Sequence, residues 1–301
     1  MSEVRSYPLP FSQLAQLDLV ANFGMLSIQP VEEGGAARLE VKGSPGVSVE
    51  VSKEGDVVHV RVGHAVGAFF EMGPNVKLAA YVPRNVRAHV RTEFGKLSVE
   101  HLNQGCDLNL ATSAGAMFLE DVVGRMVLWT GAGKIAGDKL AGTFDVETSA
   151  GAVRLGISGL EPGTHKIRTN MGAVSVSLVP GLQVRIDAKT QMGSVRKRYP
   201  SADGAPAVLE LSTDLGAVRV DEGSLADSRH GDFPRWEASG PGMDPGAFAR
   251  GWAGAWGSFF GGEPKRRNIR DEELARILTM VEQGKISAAD AERLIRAIED
   301  R

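Results

Sequence analysis

Seven times between residues 92 and 218 the chain repeats the pattern Thr-x-x-Gly-x-aliphatic. The copies are Thr92-Gly95-Leu97, Thr112-Gly115-Met117, Thr130-Gly133-Ile135, Thr148-Gly151-Val153, Thr169-Gly172-Val174, Thr190-Gly193-Val195 and Thr213-Gly216-Val218. Successive glycines lie 20, 18, 18, 21, 21 and 23 residues apart, and a degenerate eighth copy, ANFGMLSI, surrounds Gly24. A fixed period of this length restricts the chain to folds in which like units stack on one another.

Each unit is built for strands. Two and four residues before the threonines stand apolar side chains such as Val90 and Ala88, Leu110 and Leu108, or Val146 and Phe144, with His165 the exception. Polar residues occupy the places between, and a second alternating run follows each glycine, as in KLSV, AVRL and AVSV. Period two with one apolar face is the signal of a half-buried strand. A unit of two short strands cannot bury its apolar face alone, so the reading is mainly β: a β-solenoid-like stack of about 20-residue two-strand rungs. Glycine fits where the chain turns from one strand to the next, at a backbone angle closed to residues with a Cβ. The threonines stack in a column whose hydroxyls can bond between rungs. Residues 17 to 90 share the strand character in looser register and are expected to form the first rungs and an end cap. The frequent turns account for 37 glycines in 301 residues, well above the ~7% of average usage.

The β-strand-repeat domain is expected over 1–222, a linker rich in glycine, proline and aromatic residues over 223–268, and a small C-terminal α-helical hairpin over 269–301. In the hairpin Leu274, Ile277, Leu278 and Val281 share one face, Gly284 ends the turn, and Ala291, Leu294, Ile295 and Ile298 form the second face. Ser287 and Asp290 suit the start of the second helix. Within the linker Phe248, Trp252, Trp256, Phe259 and Phe260 fall at helical spacing and are followed by Arg266 and Arg267. Aromatic side chains beside cations suit a membrane interface, while burial on the protein's own β-structure or on a second copy satisfies the same energetics.

Little in the sequence points to chemistry. Gly131-Ala132-Gly133-Lys134-Ile135-Ala136 has the look of a nucleotide loop, but Leu128 stands where a phosphate loop needs glycine and strand residues follow where a helix is required. No cofactor is therefore expected. The histidines, His59, His64, His89, His101, His165 and His230, show no close metal-ligand pair except a loose four-residue gap between His59 and His64, and Cys106 is the only cysteine, so no metal site is expected. His165 reads as a core or turn residue and Cys106 as structural. Asp145 and Glu147 lie on one strand face about 7 Å apart, a spacing compatible with paired acids. Lys166 and Arg168 a rung away make a surface ion-pair ladder the simpler reading. Arg154, Arg196 and Arg219, each third after its glycine, form an intermittent basic strip.

Net charge is −3, from 34 basic and 37 acidic residues, and gives no reason to expect nucleic-acid binding. No run of 18 apolar residues offers a membrane span, and Glu3, Pro8 and Pro10 interrupt any signal-peptide core. The expected location is cytoplasmic, with peripheral attachment to the inner membrane as the extension of that reading.

The glycine-punctuated double strands over about 20–222 resemble the bacterial candidate-adhesin family of β-strand repeats, the Toastrack domain. Residues 273–300, with Gly284, Lys285, Ile286, Ala291 and Leu294 in register, resemble the SHOCT-like short helical module. The resemblance implies a non-enzymatic bacterial binding or scaffold protein linked to the cell-envelope stress response, with a protein partner or self-association and no small-molecule substrate. A polysaccharide-processing β-helix enzyme, or a peripheral membrane protein held by the aromatic segment, are the alternatives.

Overall fold

The computed structural model describes residues 3–11, 16–43, 46–64 and 76–223. The expected linker, from residue 224 on, and the expected helical hairpin lie outside the described residues. Within them every regular element is a strand, and all seventeen join one hydrogen-bonded network. They are β1 (Glu3–Pro8), β2 (Gln16–Ala21), β3 (Met25–Pro30), β4 (Arg38–Gly43), β5 (Val47–Glu54), β6 (Val57–His64), β7 (Lys77–Val82) and β8 (Arg87–Glu100). Then come β9 (Cys106–Ala132), β10 (Ile135–Ala150), β11 (Val153–Leu160), β12 (Gly163–Met171), β13 (Val174–Leu178), β14 (Val184–Met192), β15 (Val195–Lys197), β16 (Ala207–Leu215) and β17 (Val218–Glu222).

The repeat folds as the alternation dictates. Each rung has one arm before its glycine and one after it, and parallel pairing stacks like arms in identical register: Thr92 on Thr112, Thr130 on Thr148, Thr148 on Thr169. The aliphatic residues two places after the glycines, Leu97, Met117, Ile135, Val153, Val174 and Val218, are buried in one continuous core. Val195 departs from this expectation, at 41% exposed, because its rung is the last of the stack and only β17 covers it.

The rungs do not stack in chain order at either end. β16 lies between β12 and β14, and β17 between β13 and β15, so the final repeat is inserted beneath the one before it. At the other end β2 and β3 sit between β6 and β7 on one side and β8 on the other. Strands β1, β4 and β5 run antiparallel to their neighbours and close that end, which realises the expected cap and keeps a parallel edge from meeting another chain.

The glycine corner leaves no room for a side chain. Gly133 and Gly151 have φ of 145° and 150°, and a Cβ on either would overlap the carbonyl oxygen of the preceding corner glycine, Gly115 and Gly133 respectively. At the opposite corner the left-handed conformation falls on non-glycine residues, His101, Asp121 and Lys139. The side chains of the first two meet, with His101 Nδ1 3.1 Å from Asp121 Oδ2.

The threonine column is buried except at the last rung, and its hydroxyls do not bond to one another as expected. Those of Thr169, Thr190 and Thr213 donate to the glycine carbonyls of the neighbouring rung, Gly151, Gly216 and Gly172, at 3.0–3.2 Å. The Oγ1 atoms of Thr92, Thr112, Thr130 and Thr148 are buried with no hydrogen-bond partner. Burying an unpaired hydroxyl costs free energy that an isosteric methyl does not. Thr148→Val is therefore expected to leave stability unchanged or raise it by about 1 kcal/mol, whereas Thr213→Val loses about 1 kcal/mol. Urea unfolding of both variants checks this, and equal shifts would remove the distinction between the two groups of threonines.

Candidate interaction surfaces

Because residues on a strand alternate, the positions left out of the core form outward columns along the stack. On the arm before the glycines one column reads Val127, Asp145, Lys166, Glu210 and Asp187, and the next reads Trp129, Glu147, Arg168, Ser212 and Lys189, each aligned with its neighbour. The two carboxylates singled out in the sequence thus lie directly beside Lys166 and Arg168. Arg168 reaches on to Glu210 at 3.9 Å. Arg168–Glu210 is the one ion pair these columns form across strands among the described residues, on an exposed face where such a pair contributes little to stability.

Nearer the start of the stack the same face carries His59 and His89 on either side of Asp18. His59 Nδ1 lies 3.0 Å from Asp18 Oδ2, and His89 Nδ1 lies 3.3 Å from the Gln16 amide. No motif marks this cluster, since its residues are up to 73 positions apart and only the inserted rung brings them together.

The arm after the glycines carries the basic strip. Its column reads Ser98, Phe118, Ala136, Arg154, Ser175, Arg219 and Arg196. Arg219 and Arg196 are direct neighbours, and insertion of the last repeat puts Arg219 between Ser175 and Arg196. Closer to the corner stand Lys96 and Lys134, whose ammonium groups lie 4.7 and 5.8 Å from the Phe118 ring centre, within cation–π range. Burial, and then the charge of Arg154, hold the Lys134 ammonium below the usual lysine range.

The other singled-out residues do structural work. His165 is fully buried, with Nδ1 accepting from the Phe144 amide at 3.3 Å and Nε2 donating to the Glu161 carbonyl at 2.8 Å. With both nitrogens engaged in this way it is a core histidine. Cys106 is buried, its thiol donating to the Val123 carbonyl at 3.3 Å. Burial pushes its pKa up to about 12, which leaves almost no thiolate to react. The Gly131–Ala136 stretch joins β9 to β10 at a glycine corner with no helix behind it, so it lacks the amide cradle of a nucleotide loop. Among the described residues no group of His, Cys, Asp and Glu has the geometry to hold a metal ion, and no helix is long and apolar enough to cross a membrane. Phe248, Trp252, Trp256, Phe259, Phe260, Arg266 and Arg267 lie outside the described residues.

The β-stack is similar to crystal structures of a candidate cell adhesion protein from Clostridium sporogenes (13% identity, 74% of this chain and 100% of the other, TM-score 0.38) and a candidate adhesin from Bacteroides fragilis (11%, 73% and 97%, 0.30). A candidate adhesin from Parabacteroides distasonis is comparable, at 11% identity over 74% of this chain and 97% of the other, with a TM-score of 0.32. No curated protein matches the chain. Residues 272–301 match the family described as the SHOCT-like domain, over the stretch in which the sequence places a helical hairpin.

Proposed function

We propose that this protein is a non-enzymatic binding or scaffold module, in which a stiff β-stack presents fixed outward columns and the C-terminal segment supplies a docking element. The observation that carries the reading is the register of the outer faces. Acids and bases stand beside one another in ladders, Asp145 by Lys166 and Glu147 by Arg168, where an active site needs polar groups converging in a cleft. A uniform repeat offers extended surfaces instead, which suit partners contacted along their length. The SHOCT-like match at 272–301 adds a small module that gains stability by docking or oligomerising. The finer proposal, a role in the cell-envelope stress response at the cytoplasmic side of the inner membrane, rests on the family resemblance of the sequence.

Residues 248–260 are the proposed docking element. Exposing five large aromatic side chains forgoes ~1.5–3 kcal/mol for each one that could be buried, and such a patch invites association. Trp252→Ser/Trp256→Ser is therefore expected to alter stability, assembly or vesicle binding. If sedimentation, thermal melting and vesicle flotation all match the parent protein, the segment is a solvated tether and the reading of it fails.

A further inference from the structure

The residue immediately before each corner glycine is apolar in all eight copies, Phe23, Phe94, Ala114, Ala132, Ala150, Met171, Met192 and Leu215, and all but Phe23, which packs against the core, stand outside it. Parallel register aligns them along the outside of the corner, Phe94 on Ala114, Ala132 on Ala150, Ala150 on Met171, Met171 on Leu215 and Leu215 on Met192. The larger side chains stand in solvent, Phe94 at 60% exposed, Met171 at 39%, Leu215 at 46% and Met192 at 68%. At the ~4.8 Å spacing of neighbouring strands the ridge runs about 34 Å. Phe94 toward one end and Met171, Leu215 and Met192 at the other, joined by the half-buried Ala114, Ala132 and Ala150, make an apolar line that marks an interaction surface.

The charges beside the ridge decide what it meets. On the arm after the glycines the two nearest outward columns hold Lys96, Lys134, Arg154, Arg219 and Arg196 and no carboxylate, while those on the arm before them set Glu93, Glu147 and Asp214 against Arg91, Arg168 and Lys189, so the net positive charge lies on one side of the ridge. A line of apolar side chains parallel to a line of cations is the pattern that seats a protein in the interface of an anionic bilayer, the apolar groups entering the headgroup region and the cations meeting lipid phosphates. The ridge is a convex corner one residue wide. It lacks the groove that receives a partner helix, and it is too narrow to approach the ~800 Å² per partner of a stable protein interface. A bilayer accepts such an edge along its whole length.

We propose that the glycine corner of the β-stack is a membrane-contact edge for anionic lipid surfaces. It extends the binding-module reading and works independently of residues 248–260. The test is flotation of the full chain with phosphatidylcholine vesicles, with and without phosphatidylglycerol. Binding is expected only with the anionic lipid and is expected to fall as salt rises. Met171→Ser/Met192→Ser/Leu215→Ser should weaken partitioning roughly tenfold or more, and Arg196→Glu/Arg219→Glu should do the same. All five side chains are exposed or nearly so, so unchanged melting temperatures will show that the fold is kept. Trp252→Ser/Trp256→Ser should still bind. The proposal is overturned if the parent chain does not float, if the ridge variants float as well as the parent, or if only the tryptophan variant loses binding, which would assign membrane contact to 248–260. It is equally overturned if the ridge variants abolish self-association or protein capture while flotation is unchanged.

Discussion

Gly133→Ala is expected to cost about 3–5 kcal/mol, enough to unfold a domain of ordinary stability. Two effects combine at that position. The φ of 145° is one that residues with a Cβ rarely adopt, and the added methyl would overlap the Gly115 carbonyl oxygen, which is backbone and cannot rotate aside. Relief would require one rung to move away from the next, and paired rungs on both sides oppose that movement. Gly163→Ala separates the two effects. Gly163 has a φ of 130° with open space around the position of its Cβ, so its substitution carries only the conformational penalty, about 1–2 kcal/mol. Equal urea midpoints for the two variants would show that crowding between corners plays no part.

That crowding explains why so much of the fold was legible in the sequence. A corner that admits only glycine, flanked by arms with one buried face, forces Thr, Gly and an aliphatic residue to recur at fixed offsets. Registers follow from the offsets, and so do the neighbours of Asp145 and Glu147 and the columns of Arg154, Arg196 and Arg219. The opposite corner left a fainter mark: Gly124 and Gly142 pair there with positive φ and a Cβ position that overlaps the carbonyl oxygens of Cys106 and Gly124, but the left-handed His101, Asp121 and Lys139 share no side-chain type. The apolar residue before each glycine was visible in every copy, but only the exposure of Phe94 and Met192 shows that it points outward. The order of the rungs at the ends was also hidden. Any two copies present interchangeable arms, so periodicity cannot tell which copy lies on which. The order rests instead on the connections. Residues 198–206 return the chain along β14, where the Ala202 amide donates to the Val184 carbonyl and Ser201 Oγ accepts from the Ile186 amide. Tyr199 is buried there, its hydroxyl 3.0 and 3.1 Å from the Val179 and Leu182 carbonyls.

The inserted order has a covalent test with a large expected effect. Arg168 on β12 lies directly beside Ser212 on β16, and Lys189 on β14 lies on the far side of Ser212. Neighbouring strands are ~4.8 Å apart, inside the Cα separation of about 4.4–6.8 Å that a disulfide spans. Two strand spacings, roughly 10 Å, lie outside it. Oxidation should therefore close a disulfide in Arg168→Cys/Ser212→Cys and fail to close one in Arg168→Cys/Lys189→Cys. Both pairs face outward, and Cys106 is buried with its thiol held protonated, so it does not compete. The bridge closes a loop of 43 intervening residues between positions 168 and 212, for which the chain-entropy estimate is about 4 kcal/mol of added stability. If the repeats stacked in chain order, β12 would lie on β14 and the outcomes would exchange. Non-reducing gels and the melting temperatures of the oxidised and reduced forms distinguish the two arrangements. A bridge in the 168/189 pair would place the last repeat at the end of the stack, and Arg196 rather than Arg219 would then lie beside Ser175 in the basic strip.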